Sequence, residues 1–132
     1  MASRSDTPKL QSFAKAIQRL AEALEAPPSD LVRDAAIQRF EFSFELGWKA
    51  IQELMRQQGQ SCQSPKSCLR EAFKQGWIDD ENAGIHILDD RNLTSHSYDE
   101  NLAIAIYHRP PQHVRFLQQL LGQLEEYARK AW

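Results

Sequence analysis

The segment from Asp89 to Glu100, DDRNLTSHSYDE, concentrates the side chains of this chain that are best suited to chemistry. Its twelve residues contain one Arg, one His, one Tyr and four acids, whereas the rest of the sequence reads mostly as Leu-, Ala- and Gln-rich helix. A guanidinium presents planar donors that match phosphate oxygens. An imidazole with an ordinary pKa of about 6.5 both accepts and releases a proton at neutral pH. These residue types are typical of acid–base chemistry at a phosphate.

Arg91 and His96 can approach each other only if the helix is interrupted between them. Five positions on one continuous helix would turn them about 140° away from each other. Ser97 followed three residues later by Glu100 matches a capping box, which predicts a new helix with Tyr98 at its first position. A corner of this kind can bring Arg91, His96 and Tyr98 to one rim, where the free N–H groups of the new helix favour a phosphate.

The same residues also have ordinary structural explanations. Arg91 stands directly after Asp89 and Asp90, and such neighbours usually form solvated ion pairs worth about 0 to 1 kcal/mol. A His in a turn is most often structural, and a Tyr at a helix start often only packs its ring. Spacing alone leaves both interpretations open.

Length and composition are those of a soluble globular protein. The 132 residues predict one domain spanning 1–132, and 42% hydrophobic with 26% charged residues excludes a disordered chain. The apolar runs are far shorter than the roughly 20 residues of a membrane helix, and MASRSDTPKL lacks the apolar stretch of a secretory signal. Cys62 and Cys68 have no partnering Cys/His set. We therefore expect reduced thiols in a cytoplasmic protein.

The charge balance limits the partners. A formal net charge of −2 lacks the basic excess of proteins that bind nucleic acid unaided. If RNA is a ligand, the positive charge must be concentrated locally or supplied by a second chain.

Helical patterns run through the whole sequence. Thr7 before Pro8 predicts the start of the first helix, and Ser29 predicts the start of a long second one. Within the second, FEFSFEL (Phe40–Leu46) alternates like a strand, but a 3.6-residue period sustained over about six turns favours helix. Phe42 then points away from the main apolar face, which predicts burial on a second side or a self-association surface.

The later part of the chain is also helical. Ser64 predicts the start of a short third helix that Gly76 ends, and Asp79 the start of a fourth running to about Asn92. Pro110 and Pro111 separate the helix after the corner from a final one. The predicted fold is all-α, a four- to five-helix up-and-down bundle.

Three sequence blocks resemble the HEPN superfamily of helical bundles. The motif Arg-x4-His-x-Tyr, met by Arg91, His96 and Tyr98, resembles that of its HepT-like branch. AAIQRFEFSFELGWKAIQ (35–52) and SPKSCLREAFKQGWI (64–78) are similar to the proteins called nucleotidyltransferase substrate-binding. Together the three blocks cover most of the chain from Arg33 to Tyr107.

The resemblance implies a function for the motif. HEPN ribonucleases are usually homodimers whose two motifs meet and cleave RNA without a metal. His96 would assist proton transfer at the ribose 2′-hydroxyl, Arg91 would stabilise charge on the phosphate, and Asn92 would orient either group. Four acidic neighbours oppose RNA binding near the motif: Asp89, Asp90, Asp99 and Glu100. Lys66, Arg70 or the other protomer would therefore have to supply positive charge.

A second implication concerns Tyr98. In the HepT-like branch a minimal nucleotidyltransferase antitoxin of the MntA type transfers AMP to this Tyr, and the added charge and bulk beside Arg91 would block RNA. The predicted partners are therefore a minimal nucleotidyltransferase, RNA and a second copy of the chain, without a membrane. The alternative is a non-catalytic subunit that binds nucleotide or substrate for the nucleotidyltransferase.

Other candidate sites receive less support. His108 and His113 flank the two prolines without a carboxylate at ligand spacing, so we predict no metal site. No cofactor is predicted. The sequence has no glycine-rich phosphate loop, which indicates that the chain is not itself a nucleotidyltransferase.

Overall fold

The computed structural model describes residues 8–96 and 99–130 of the chain. Their backbone is helical, with no strand in the described ranges, so the predicted all-α class is confirmed. A three-residue 3-10 turn, Thr94–His96, follows the fourth of the six α-helices in these ranges. The helices are α1 (Pro8–Glu25), α2 (Asp30–Gln57), α3 (Pro65–Lys74), α4 (Glu81–Leu93), α5 (Glu100–Tyr107) and α6 (Pro110–Lys130).

Two helix starts are capped as the sequence predicts. The Ser29 side chain accepts a hydrogen bond from the backbone N–H of Val32 at 3.0 Å at the start of α2. At the start of α3, Ser64 accepts from the N–H of Ser67, and the Ser67 hydroxyl accepts from the N–H of Ser64. Gly76 follows α3 with a φ of 81°, a left-handed conformation that glycine adopts without strain and that stops the helix.

The predicted start of α4 at Asp79 is wrong by two residues. Asp80 is the N-cap, and its side chain accepts a hydrogen bond from the N–H of Ala83 at 3.0 Å, so the first helical residue is Glu81. Either aspartate can cap a helix, so the sequence does not distinguish them. The predicted cap of α1, Thr7, lies outside the described residues.

The core forms where α1, α2 and α6 pack together. Three phenylalanines, Phe13, Phe40 and Phe44, lie almost completely buried in it. The Phe13 ring packs directly on Gly47 of α2, where a Cβ atom would lie only 3.0 Å from two ring carbons. Gly47 therefore allows α1 to approach α2 closely. The alternating FEFSFEL segment lies wholly within α2, as its longer period predicts.

Cys62 and Cys68 form a disulfide bond, so the prediction of reduced thiols is wrong. The two Cα atoms lie 5.1 Å apart, within the range that a disulfide spans. The chain between them turns into the capped start of α3, and this local fold brings together two cysteines that the sequence only shows six positions apart. Both are buried, and the bond ties the segment after α2 to α3.

Phe42 lies at the edge of α2 beside α1, outside the core. Its side chain is 56% exposed, whereas Phe40 and Phe44 face the core. The described residues thus do not bury Phe42 on a second side, and the self-association surface remains a prediction. None of the described helices combines the length and the apolar character needed to cross a membrane.

Candidate functional site

The chain turns a corner between α4 and α5, as the motif spacing predicts. Helix α4 ends at Leu93, and the 3-10 turn Thr94–His96 continues directly from it. The Thr94 hydroxyl donates to the carbonyl oxygen of Arg91 at 2.6 Å. The backbone N–H of Asp99 donates to the carbonyl oxygen of His96 at 3.0 Å. These two hydrogen bonds hold both ends of the corner.

The helix after the corner begins later than predicted. Its N-cap is Asp99, whose side chain accepts a hydrogen bond from the N–H of Leu102 at 3.2 Å, and its first residue is Glu100. The predicted helix start at Tyr98 is therefore wrong, because Asp99 caps the helix in place of Ser97. Ser97 and Tyr98, which include the predicted modification site, lie outside the described residues.

Arg91 is held against α2 rather than against its acidic neighbours in sequence. Its Nη2 atom donates to Oε2 of Glu45 at 2.9 Å, and its guanidinium carbon lies 5.6 Å from the centre of the Phe44 ring. Its Nη1 atom donates to the side-chain oxygen of Asn92 at 3.3 Å. About a third of the Arg91 side chain (32%) stays exposed. The guanidinium thus has a fixed position at the surface, with part of its donor edge reachable by a ligand.

Glu45 is the partner of Arg91 that the sequence does not reveal. It also accepts a hydrogen bond from the indole N–H of Trp48 at 3.0 Å and forms an ion pair with Lys49 at 3.4 Å. Partial burial opposes ionisation of Glu45, but the hydrogen bonds from Trp48 and Lys49 and the charge of Arg91 together hold its pKa below the usual range. Glu45 is therefore a carboxylate at neutral pH. An anionic ligand must compete with it for Arg91.

The other two predicted residues lie on the exposed side of the corner. Asn92 is exposed in the last turn of α4, and His96 is exposed at the end of the 3-10 turn. The structure thus brings Arg91 and Asn92 into contact and places His96 on the turn that follows them. Whether these residues carry the activity stays a prediction.

Asp90 points into the protein, on the opposite side from the solvent. Its carboxylate binds Nε2 of His113 at 2.7 Å and also the guanidinium of Arg109. These contacts join α4 to α6 and to the turn that precedes α6. The His113 ring stacks on Phe40 with ring centres 5.2 Å apart. Asp90 and His113 are both 5% exposed. Because successive helical residues point about 100° apart, Asp90 can anchor α4 while Arg91 faces α2.

The sequence gives no signal for the contact between Asp90 and His113, which are 23 positions apart. From the sequence, His113 is a candidate only for a metal ligand together with His108. Within the described ranges, no group of three or more His, Cys, Asp or Glu residues is arranged to hold a metal ion.

A cleft of about 370 Å³ between α3 and α4 reaches the motif at Asn92. Lys66 and Arg70, the basic residues expected to supply positive charge, both line it. They stand one turn apart on α3 and therefore share a face. Exposed apolar side chains of Phe73 and Ile85 lie next to these charges, and the carboxylates of Glu81 and Asp89 also line the cleft, so its charge is mixed. A cleft of this size with mixed polarity can accommodate a small polar ligand or part of a larger one.

Comparison with known proteins identifies the family to which the chain belongs. Residues 8–126 match the family described as nucleotidyltransferase substrate binding protein like. The chain belongs to this family, which confirms the assignment made from the three sequence blocks.

Individual relatives agree with that family assignment. The chain is 36% identical over 83 residues to a Haemophilus influenzae protein named probable ribonuclease HepT; the match covers 59% of this chain and 57% of that protein. This chain therefore spans little more than half the length of that curated relative.

Two solved structures share the fold. A crystal structure of a protein from Thermus thermophilus is similar with a TM-score of 0.79 and 43% identity, covering 85% of this chain and 98% of the other. A Haemophilus influenzae structure, described as the fold of a substrate binding domain of a nucleotidyltransferase, has a TM-score of 0.76 and 30% identity, covering 87% and 98%.

Proposed function

We propose that this protein is a HepT-like subunit that cleaves RNA without a metal and acts together with a minimal nucleotidyltransferase of the antitoxin type. The observation that carries the proposal is the arrangement at the corner after α4. Arg91 is fixed and partly exposed there, Asn92 contacts it, and exposed His96 follows on the next turn. The relative named probable ribonuclease HepT supports the same conclusion.

The proposed reaction is an internal transfer at phosphorus. The ribose 2′-oxygen attacks the adjacent phosphate, the bond from phosphorus to the 5′-oxygen breaks, and the products are a 2′,3′-cyclic phosphate and a 5′-hydroxyl. The imidazole of His96 accepts the 2′-hydroxyl proton, and an imidazolium or water returns a proton to the leaving oxygen. Acid–base assistance of this kind accelerates a reaction about 10² to 10⁴-fold. Arg91 stabilises the charge that develops on the phosphate oxygens.

A second copy of the chain completes the site in this proposal. One corner offers a single imidazole, whereas the reaction requires a base at one oxygen and an acid at the other. A homodimer in which two corners face each other would supply both, together with a second Arg91. We expect the mass in solution, measured by light scattering, to be that of at least two chains.

Regulation in this proposal acts through Tyr98. The nucleotidyltransferase would transfer AMP from ATP to the phenol oxygen, with release of pyrophosphate. The adenylate would add a negative phosphate and a bulky group to the motif and would thereby exclude RNA. Intact mass measured after co-expression with the nucleotidyltransferase tests this step. Tyr98→Phe must abolish the adenylate mass increment.

A non-catalytic role is the second candidate, and the contact between Glu45 and Arg91 favours it. The carboxylate already neutralises the guanidinium in the free chain. Under this alternative the corner binds the phosphate of a nucleotide or substrate and presents it to the nucleotidyltransferase. The description of the family and of the similar Haemophilus structure agrees with such a role.

Cleavage of RNA in EDTA separates the two candidates. We expect the wild-type protein to produce cyclic-phosphate ends and His96→Ala to lose at least about a hundredfold in rate. His86→Ala is the matched control, because His86, on α4, is an exposed histidine like His96 but lies outside the motif. Cleavage that persists in His96→Ala removes His96 from the mechanism. Intact RNA with the wild-type protein, together with measurable nucleotide binding, establishes the non-catalytic role instead.

A further inference from the structure

A groove between α1 and α2 carries a concentration of positive charge outside the corner. It has a volume of about 400 Å³. We call it the cationic groove and define it by Lys15, Arg19, Arg39, Phe42 and Leu46, all of which line it. The charged residues of its lining are all cations, in a chain whose formal net charge is −2.

These cations form no ion pairs within the described ranges. No ion pair joins Lys15, Arg19 or Arg39 to a carboxylate of residues 8–96 or 99–130, whereas Arg33, Lys49 and others are paired. Arg39 donates to the carbonyl oxygen of Arg19 at 2.8 Å, which fixes its guanidinium across the groove without cancelling its charge. Three cations without a carboxylate partner among these residues favour an anionic ligand at the groove.

An exposed aromatic ring lies beside the charges. Phe42 is 56% exposed. Among the described large apolar residues, no other aromatic side chain is as exposed. Cations that follow a phosphate backbone, combined with a ring on which a base can stack, form the usual binding surface for single-stranded nucleic acid. A base stacked on Phe42 would leave its flanking phosphates within reach of the three cations.

The position of the groove relates it to the corner. Phe42 and Glu45 stand three residues apart on α2 and are therefore neighbours on its surface. Glu45 in turn binds Arg91. A strand that leaves the groove at Phe42 thus reaches the Glu45–Arg91 pair within one turn of α2. We propose that the cationic groove binds single-stranded RNA and leads it to Arg91, an inference that rests on the proposed ribonuclease function.

Binding of a short, labelled, unstructured RNA tests the proposal. All variants carry His96→Ala, so that binding is measured without cleavage, and circular dichroism verifies the fold. Lys15→Gln/Arg19→Gln removes two phosphate contacts. We expect affinity at low salt to fall about tenfold and the slope of log K against log salt to flatten by about 1.4. The matched control, Arg115→Gln/Arg129→Gln, makes the same charge change at exposed cations of α6 and keeps the affinity and the slope.

The aromatic part has its own pair of variants. Phe42→Leu keeps an apolar side chain but loses most of the stacking, so we expect roughly a tenfold loss of RNA affinity, whereas Phe42→Trp keeps it. Light scattering on the same samples shows whether either change alters self-association. A changed assembly with unchanged RNA affinity assigns Phe42 to a contact between copies and overturns the proposal.

The remaining outcomes are equally decisive. Unchanged RNA affinity in Lys15→Gln/Arg19→Gln overturns the proposal. If the same variant instead weakens binding of the nucleotidyltransferase, the groove is a protein interface and the proposal is overturned as well. Loss of RNA binding in this variant supports the groove even where the wild-type protein cleaves no RNA. In that case the ribonuclease function fails while the binding site stands, so the two failures are distinguishable.

Discussion

Replacing Asp90 by Ala tests how much the buried contact between α4 and α6 stabilises the fold that positions the corner. In the folded protein the carboxylate binds Nε2 of His113 at 2.7 Å and also accepts from Arg109. The substitution leaves the buried nitrogen of His113 without this partner, which costs about 1 to 3 kcal/mol. The Arg109 side chain is 48% exposed, so water replaces its lost contact at a cost of about 1 kcal/mol or less.

These contributions sum to about 1 to 4 kcal/mol, and the expected loss is near the middle of that range, about 2.5 kcal/mol. For a chain of this length the expected decrease in Tm is about 10 °C. Asp90→Asn keeps one acceptor oxygen and should lose roughly half as much. Urea unfolding followed by circular dichroism at pH 7 measures both variants.

Asp89→Ala is the matched control, because Asp89 is the exposed neighbour of Asp90 on the same helix. We expect it to change the free energy of unfolding by less than about 0.5 kcal/mol. Equal stability of the Asp90→Ala and Asp89→Ala variants would refute the reasoning, since the buried carboxylate would then contribute nothing. A double-mutant cycle with His113→Ala isolates the pairwise energy.

Three further predictions concern stability. Glu45→Gln should cost about 1 kcal/mol or less at pH 7, since solvent partly screens the pair of Glu45 with Arg91. Because the folded pKa of Glu45 is lowered, this contribution is complete above the unfolded pKa of about 4.3 and is lost as the pH falls through the folded pKa. Urea unfolding of wild type and variant should therefore differ at pH 7 and converge once the pH lies below the folded pKa. Gly47→Ala should destabilise the protein by about 1 to 2 kcal/mol, because its Cβ would press on the buried Phe13 ring. Gly122→Ala has open space around its Cβ and should stabilise α6 by about 0.5 to 1 kcal/mol. An equal change in the free energy of unfolding of both variants would contradict this reasoning. Removal of the disulfide by Cys62→Ser/Cys68→Ser should cost about 2 kcal/mol, and an unchanged Tm would show that closing this short loop does not stabilise the fold.

Local signals in the sequence predict the helices well. Ser29 and Ser64 cap the helices that follow them, and Gly76 ends α3, because each acts on backbone groups within a few residues. The predicted start of α5 is wrong for a related reason. Ser97 and Asp99 both suit an N-cap, and two such residues close together compete, so the sequence alone does not decide between them.

Contacts between distant residues are beyond the reach of these local signals. The sequence suggests that Arg91 either pairs with its acidic neighbours or is free for a phosphate, but its partner Glu45 stands 46 positions earlier. Asp90 is the buried partner of His113 instead of a solvated neighbour. Nothing local marks such pairs, because they depend on how α2, α4 and α6 pack. The disulfide between Cys62 and Cys68 is local and still unpredicted, since cysteine spacing says little without the turn that joins the two residues.

Helix α2 connects the two surfaces proposed to bind RNA. Its residues turn by about 100° per position, so Arg39 and Phe42 face the groove with α1 while Phe44 and Glu45 hold Arg91. Phosphates that bind the cationic groove bring a bound strand next to Glu45, where a further phosphate can replace the carboxylate on Arg91 at high local concentration. The groove thus offsets the competition from Glu45. Affinity for RNA should therefore depend on the groove cations at least as strongly as on Arg91 itself.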